Sequence, residues 1–141
     1  MRSLRRGLLP ALSLLLTLAG ACPAEIRIIA HPAIALTKLN VETVRRIYLG
    51  QQAHLGDDPL VPVVLSKEPT NEQFIEQFLG RTETQFTTYW RSRVFSGKGL
   101  PPKAFDSERA MLDFVRKTPG AIAFVDSTAE IEGVRVLEIE R

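Results

Sequence analysis

The stretch from Leu60 to Leu79 constrains the fold of this chain more than any other. Its first six residues, LVPVVL, form an apolar run rich in β-branched residues, which is typical of a short buried strand. A proline then breaks the chain, and Thr70 with Gln73 forms a T-x-x-Q pattern, which predicts a capped helix start. The predicted helix has one apolar face and a glycine where its C-terminal cap is expected: Phe74, Ile75, Phe78, Leu79 and then Gly80.

A strand that runs directly into a helix leaves two features at the sheet edge that suit a small anion. The first N–H groups of the helix have no acceptors within it, and the positive end of the helix dipole lies there. We call residues 66–72 the Ser66 turn, and we expect an oxyanion to bind there. Its expected donors are the amides of Asn71 and Glu72, the hydroxyls of Ser66 and Thr70, and the ammonium group of Lys67. The alternative is an ordinary strand-to-helix turn that binds nothing.

Residues 1–24 have the pattern of a secretory signal peptide. Three arginines precede an apolar segment from Leu8 to Gly20, and small residues follow it. The apolar segment is shorter than the about 20 residues that a membrane-spanning helix needs. We therefore predict cleavage after Ala21 or Ala24 and a periplasmic or otherwise extracytoplasmic mature chain.

Cys22 is the only cysteine of the chain, so no internal disulfide can form. The run from Leu18 to Cys22 resembles a bacterial lipoprotein box, with the leucine one place too early. A lipid anchor on Cys22 is thus the alternative to its removal with the leader, and removal is what we expect.

The basic character of the full chain belongs to the predicted leader. The whole sequence has 18 basic and 16 acidic residues, and residues 1–24 contain three of the basic ones and none of the acidic ones. The remaining 15 and 16 charges nearly cancel, which argues against nucleic acid or an anionic membrane as the partner. Residues 25–141 are long enough for one domain with a single core.

The remaining elements alternate between strands and helices. We predict strands at Glu25–Ala30, Leu60–Leu65, Ala121–Val125 and Val134–Ile139, with helices starting at Asn40, Thr70, Thr82 and Asp106 or Ser107. This order predicts an α/β fold with a mainly parallel sheet flanked by helices. The first three strands are almost continuously apolar, so we place them inside the sheet. Trp90 and Phe86 should be buried together against Phe74 or Phe78.

Residues with catalytic or metal-binding chemistry do not form a recognisable pattern. His31 and His54 are the only histidines, and neither has a metal-ligand neighbour at usable spacing. A thiol nucleophile is not expected in the mature chain, and no G-x-S-x-G elbow is present. The sequence therefore predicts a protein that is not an enzyme and that uses no metal or cofactor.

Three segments together resemble the phosphate-binding proteins of ABC transporters. The helix that ends in Ile-Tyr-Leu-Gly50, the strand at Val61–Ser66 and the run Thr118–Val125 (TPGAIAFV) occur in the order found in that family. The resemblance extends from Glu25 to about Val136. It implies one lobe of the two-lobed type II periplasmic-binding-protein fold, similar to the second lobe.

Two departures from the family bear on binding. The family's anion-binding turn carries an arginine and a Ser-Gly-Thr run, whereas the Ser66 turn contains Glu68 and lacks the glycine. The other lobe is also missing from the resemblance, which removes many charge-assisted bonds to an oxyanion.

The resemblance leaves two functions open. In the first, the lobe binds a phosphate-like oxyanion weakly, alone or with a second copy as the other wall, and is linked to phosphate transport. In the second, the lobe has lost its ligand and docks on a membrane transporter or sensor protein. Glu68 and the absent glycine favour the second, and the capped helix start favours the first.

Overall fold

A six-stranded sheet forms the centre of the computed structural model, which describes residues 25–141. The predicted signal peptide and Cys22 lie outside the described residues. In chain order the strands are β1 (Ile26–Ala30), β2 (Lys38–Asn40), β3 (His54–Leu55), β4 (Asp58–Pro59), β5 (Val61–Leu65), β6 (Lys103–Phe105), β7 (Ala121–Asp126) and β8 (Arg135–Glu140). The large sheet has the order β2-β8-β1-β7-β5-β6, and β3 pairs with β4 as a separate hairpin.

The direction of the strands confirms the predicted fold class. The pairs β2–β8, β7–β5 and β5–β6 are parallel, whereas β1 is antiparallel to both of its neighbours. Five of the six strands thus run in one direction, and β1 alone runs in the other. The three strands placed inside the sheet from sequence, β1, β5 and β7, are indeed interior neighbours.

Four helical segments flank the sheet. They are α1 (Val41–Tyr48), α2 (Pro69–Phe74) with a π-helical continuation (Ile75–Leu79), α3 (Glu83–Phe95) and α4 (Glu108–Lys117). All of Ala121–Val125 in β7 is buried, which requires helices on both faces of the sheet. Phe74 of α2 stacks on Phe124 of β7 with 3.9 Å between the ring centroids.

Side-chain caps start three of the helices where the sequence predicts them. Asn40 accepts a hydrogen bond from the Thr43 amide, and Ser107 accepts one from Ala110. Thr82 and Gln85 form a complete capping box at α3. These caps satisfy amides that have no acceptor within the helix.

The capping box predicted at Thr70 is wrong. The helix begins at Pro69 with Glu68 as its N-cap, and Glu68 makes no side-chain cap bond. Because proline has a fixed helical φ and no N–H, it is favoured at the first position of a helix. Pro69 takes that position, so Thr70 lies inside the helix and cannot cap it.

Tyr48 stabilises the sheet where its pairing is interrupted. Pro62 has no amide hydrogen, and the pairing of β5 with β7 ends at Pro62 and Ile122. The buried Tyr48 hydroxyl lies 3.2 Å from the carbonyl oxygens of both Val63 and Ile122, and it can donate to one at a time. Burial also raises the pKa of Tyr48 well above its ordinary value.

Trp90 and Phe86 are buried, as predicted. The aromatic neighbour of Trp90 is Tyr89, however, rather than Phe74 or Phe78. Its indole N–H donates to the carbonyl oxygen of Tyr48 at 3.2 Å, so α3 packs on the C-terminal end of α1. Within residues 25–141, no helix is both long enough and apolar enough to cross a membrane.

Candidate functional site

The carboxyl ends of the parallel strands lie together at one edge of the sheet. Ser66 follows β5, Asp106 follows β6, and Asp126 is the last residue of β7. Ligands of open α/β sheets bind beyond this edge, because the loops there leave backbone and side-chain groups unpaired. The Ser66 turn therefore lies at the edge where the fold favours a ligand.

Ser66 and Asp106 are in direct contact. The Ser66 hydroxyl is 2.6 Å from Asp106 Oδ1 and 3.2 Å from the carbonyl oxygen of Phe105. The Ser66 amide also donates to that carbonyl, at 2.8 Å. This serine thus ties the end of β5 to the end of β6, and its hydroxyl would have to leave Asp106 to reach an anion.

Lys67 has an unusual backbone conformation. Its φ is +60°, in the left-handed region, and it is the only residue other than glycine with a positive φ among residues 25–141. A side chain in this region costs about 1–2 kcal/mol. The conformation turns the chain sharply between β5 and α2, and the side chain of Lys67 is exposed.

The first turn of α2 uses part of the expected donor set for itself. The Asn71 amide donates to the carbonyl oxygen of Glu68 at 2.9 Å. The Asn71 side chain is buried and donates to Glu83 at 2.5 Å, while its Oδ1 has no partner in the described chain. Asn71 therefore joins α2 to α3, whereas Thr70 is half-buried and Glu72 is exposed.

Carboxylates outnumber cations at this edge. Glu68 and Glu72 belong to the turn, Asp106 contacts its Ser66, and Lys67 is the turn's only cation. Asp126, at the end of β7, accepts hydrogen bonds from the hydroxyl and the amide of Thr128. These bonds hold the pKa of Asp126 below its usual range, so its carboxylate is retained.

Sequence reasoning missed Asp106 as a neighbour of Ser66. The five predicted residues are brought together because they are adjacent in the chain, but Asp106 reaches them only through the pairing of β6 with β5. The only sequence indication of β6 was the run Lys103–Phe105 directly before a helix cap. A run of this length is too short to indicate a strand. Residues 25–141 contain no group of three or more histidine, cysteine or acidic residues placed to hold a metal ion.

Comparisons of sequence return nothing: no known protein family and no curated protein matches this chain. Comparison of structures does return matches. The ABC-type phosphate transport receptor of Vibrio cholerae has a TM-score of 0.64 and 16% identity, over 84% of this chain and 47% of the receptor. This chain has the fold of one half of such a receptor.

Two further structures agree with this result. PstS of Borrelia burgdorferi has a TM-score of 0.64 and 14% identity, over 83% of this chain and 47% of that protein. A Clostridium perfringens structure with bound phosphate, assigned to the substrate-binding proteins of phosphate ABC transporters, has a TM-score of 0.63 and 15% identity, over 82% and 45%. The chain therefore spans about half the length of the structures it matches. The predicted single-lobe resemblance is confirmed at the level of fold, and these neighbours are named as receptors or binding proteins rather than enzymes.

Proposed function

We propose that this protein is an exported binding module without enzymatic activity, which holds a small phosphate-like oxyanion at the Ser66 turn and serves phosphate ABC transport. The observation that carries the proposal is the likeness of its fold to receptors named for phosphate, over 84% of this chain in the first case. The Ser66 turn lies beyond the carboxyl ends of parallel strands, which is where open α/β sheets bind ligands.

The proposed donors are the hydroxyls of Ser66 and Thr70, the ammonium group of Lys67 and the amides of Asn71 and Glu72. Two of them must change partners first. The Ser66 hydroxyl has to break its hydrogen bond to Asp106, and the Asn71 amide has to break its hydrogen bond to the carbonyl oxygen of Glu68. Each exchange lowers the net gain from the anion, so the affinity expected for one lobe is in the range of about 0.1–10 mM.

Asp106 gives the proposed site a preference among anions. A carboxylate only accepts hydrogen bonds, so it repels a fully deprotonated oxyanion and can accept a hydrogen bond from the O–H group of a protonated one. Phosphate keeps a proton at neutral pH, whereas sulfate does not. With Asp106 2.6 Å from the Ser66 hydroxyl, an anion bound to that hydroxyl also meets the carboxylate, and phosphate is favoured over sulfate.

An NMR titration of backbone amides tests this proposal. Phosphate, sulfate and chloride are added at matched ionic strength, and we expect saturable shifts from Ser66 to Gln73 and at Asp106 with phosphate only. Thr70→Asp should abolish them, because it adds a negative charge among the proposed donors. Thr37→Asp adds the same charge at an exposed position before β2 and should leave them unchanged. Flat responses up to tens of millimolar would rule out the site.

A second function is favoured by an exposed apolar patch, and here the lobe would dock on a membrane transporter or sensor protein. Phe95 is 95% exposed and Leu100 is 82% exposed. Phe95 lines a groove of about 460 Å³ together with Phe86 and Trp90. Large apolar side chains that protrude together are typical of interaction surfaces.

Photo-crosslinking in cells tests this second function. A benzoylphenylalanine in place of Phe95 should trap one defined envelope protein, and Leu100→Ser should abolish the product. The same probe at Leu36, which is 45% exposed and lies just before β2, serves as the control and should trap nothing. Equal trapping from both positions would exclude a specific partner at this patch.

A further inference from the structure

One face of α3 forms a cationic groove together with the end of the π-helical segment. We call it the α3 groove; its volume is about 970 Å³. Its lining includes four cations and a row of hydroxyls spaced four residues apart along the helix: Arg45, Arg81, Arg93 and Lys98, with Thr84, Thr88, Ser92 and Ser96. Among the described residues, no carboxylate lines this groove.

Tyr89 holds two guanidinium groups of the groove in place. The Arg81 guanidinium carbon is 5.1 Å from the centre of the Tyr89 ring, and that of Arg93 is 5.6 Å from it. The Tyr89 hydroxyl donates to the carbonyl oxygen of Leu49 at 2.6 Å, which fixes the ring on the end of α1. Tyr89 thus places two positive charges beside the groove, where both attract an anion.

Three of these cations have no acidic partner in the described part of the chain, whereas Arg45 pairs with Glu42 at 2.7 Å. None of the salt bridges within residues 25–141 involves Arg81, Arg93 or Lys98. Arg93 donates one Nη2 bond to the carbonyl oxygen of Lys98, but its Nε is buried without a partner. Arg93 is half-buried, so its remaining Nη donors are the groups that can meet an anion in the groove.

After Glu83, its first residue, α3 carries no acid. Residues 84–105 contain four basic residues and no acidic one. The near neutrality of residues 25–141 therefore conceals a local excess of positive charge on α3 and the loop that follows it.

The α3 groove is separate from the Ser66 turn. Helix α1 begins directly after the carboxyl end of β2 and runs back across the sheet for about 12 Å. Tyr89 contacts Leu49 at the far end of that helix, and no residue of the Ser66 turn lines the groove. Binding in the α3 groove therefore does not depend on oxyanion binding at the Ser66 turn.

We propose that the α3 groove binds a phosphate-type oxyanion through the guanidinium groups of Arg81 and Arg93. The planar fork of a guanidinium matches two oxygens of such an anion, and the hydroxyls of Thr88 and Ser92 can donate to the others. The same chemistry is offered by free phosphate and by the phosphodiester headgroup of an anionic lipid. If the ligand is a lipid headgroup, Phe95 at the end of α3 and Leu100 in the next loop would enter the bilayer.

Trp90 provides the measurement, because it is the only tryptophan and the Arg93 guanidinium carbon lies 5.7 Å from its ring. The fluorescence of Trp90 is followed during titration with inorganic phosphate, and separately with vesicles of phosphatidylglycerol or of phosphatidylcholine. We expect a saturable change with phosphate or with phosphatidylglycerol vesicles, and none with phosphatidylcholine. The responding probe identifies the source of the anion.

Substitutions assign the response to the groove. Arg81→Gln and Arg93→Gln should each weaken binding about tenfold or more, since each removes a charge-assisted pair. Arg91→Gln removes the same charge from the same helix but outside the groove, and should change binding less than twofold. If Arg93→Gln proves unstable because Arg93 packs on Trp90, Lys98→Gln at an exposed position replaces it, with an expected loss of about threefold to fivefold.

Two results would overturn the proposal. One is the absence of a saturable response to either phosphate or phosphatidylglycerol vesicles. The other is a response that Arg91→Gln weakens as much as Arg93→Gln, because general electrostatic attraction would then explain it. The Ser66-turn variant Thr70→Asp should leave the Trp90 response intact, so failure of one site is distinguishable from failure of the other.

Discussion

Replacing Gly120 by alanine should destabilise the fold severely. Gly120 has a φ of +84°, and a Cβ built there would lie 2.0 Å from the carbonyl oxygen of Pro59, a backbone atom. The Gly120 carbonyl also accepts a 2.8 Å bond from the Val61 amide, which starts the pairing of β5 with β7. The left-handed conformation costs alanine about 1–2 kcal/mol, and the forced backbone shift adds about 1–3 kcal/mol. We expect a total loss of about 2–5 kcal/mol.

Gly56 offers a matched control for this substitution. Its φ is +62°, but a Cβ there would meet no atom within 4 Å, so Gly56→Ala should cost only the conformational part of about 1–2 kcal/mol. Urea unfolding followed by Trp90 fluorescence gives both free energies of unfolding, and the melting temperatures should differ by about 4 °C per kcal/mol. Equal losses for Gly120→Ala and Gly56→Ala would refute the packing argument.

Three further predictions concern stability. Tyr48→Phe should lower the free energy of unfolding by about 1–2 kcal/mol at neutral pH. Because burial raises the folded pKa of Tyr48, the wild type should also lose stability above about pH 10. The stability of the variant should fall less steeply over the same pH range. Thr82→Ala removes a complete capping box and should cost about 1 kcal/mol by urea unfolding. The pKa of Asp126 is lowered, first by the hydrogen bond from the Thr128 hydroxyl, and this gives stability that is present above about pH 4 and lost as the pH falls further. In Asp126→Asn the free energy of unfolding should therefore depend less on pH in acid.

Long or strongly patterned elements could be predicted from the sequence. The apolar runs of β1, β5 and β7 identify interior strands because a strand buried on both faces needs apolar residues on both sides. Asn40, Thr82 and Ser107 identify helix starts because their side chains satisfy amides that the helix cannot. These local rules hold wherever no competing rule applies.

Short elements could not be predicted. Strands β2 and β6 have three residues each, so neither shows a period, and both exist because longer strands pair with them. At Thr70 two local rules competed, and the preference of Pro69 for the first helical position prevailed.

The surroundings of the candidate sites also required the fold. Asp106 is forty residues from Ser66 in sequence, and the contact between them depends on β6. Arg81 and Arg93 are separated by a helix start, yet both lie on Tyr89 because α3 folds back along the π-helical segment. Charge counted over the whole chain gave no indication of this local excess.

Crystals soaked in arsenate test the proposed function most directly, because arsenate has the shape and protonation of phosphate and arsenic scatters anomalously. Binding at the Ser66 turn predicts an anomalous peak within hydrogen-bond distance of the Ser66 and Thr70 hydroxyls, with Asp106 turned towards the anion's protonated oxygen. A soak of the Thr70→Asp variant should show no peak at that position. No peak beside Ser66 in the wild type, with or without one in the α3 groove, would contradict oxyanion binding at the Ser66 turn.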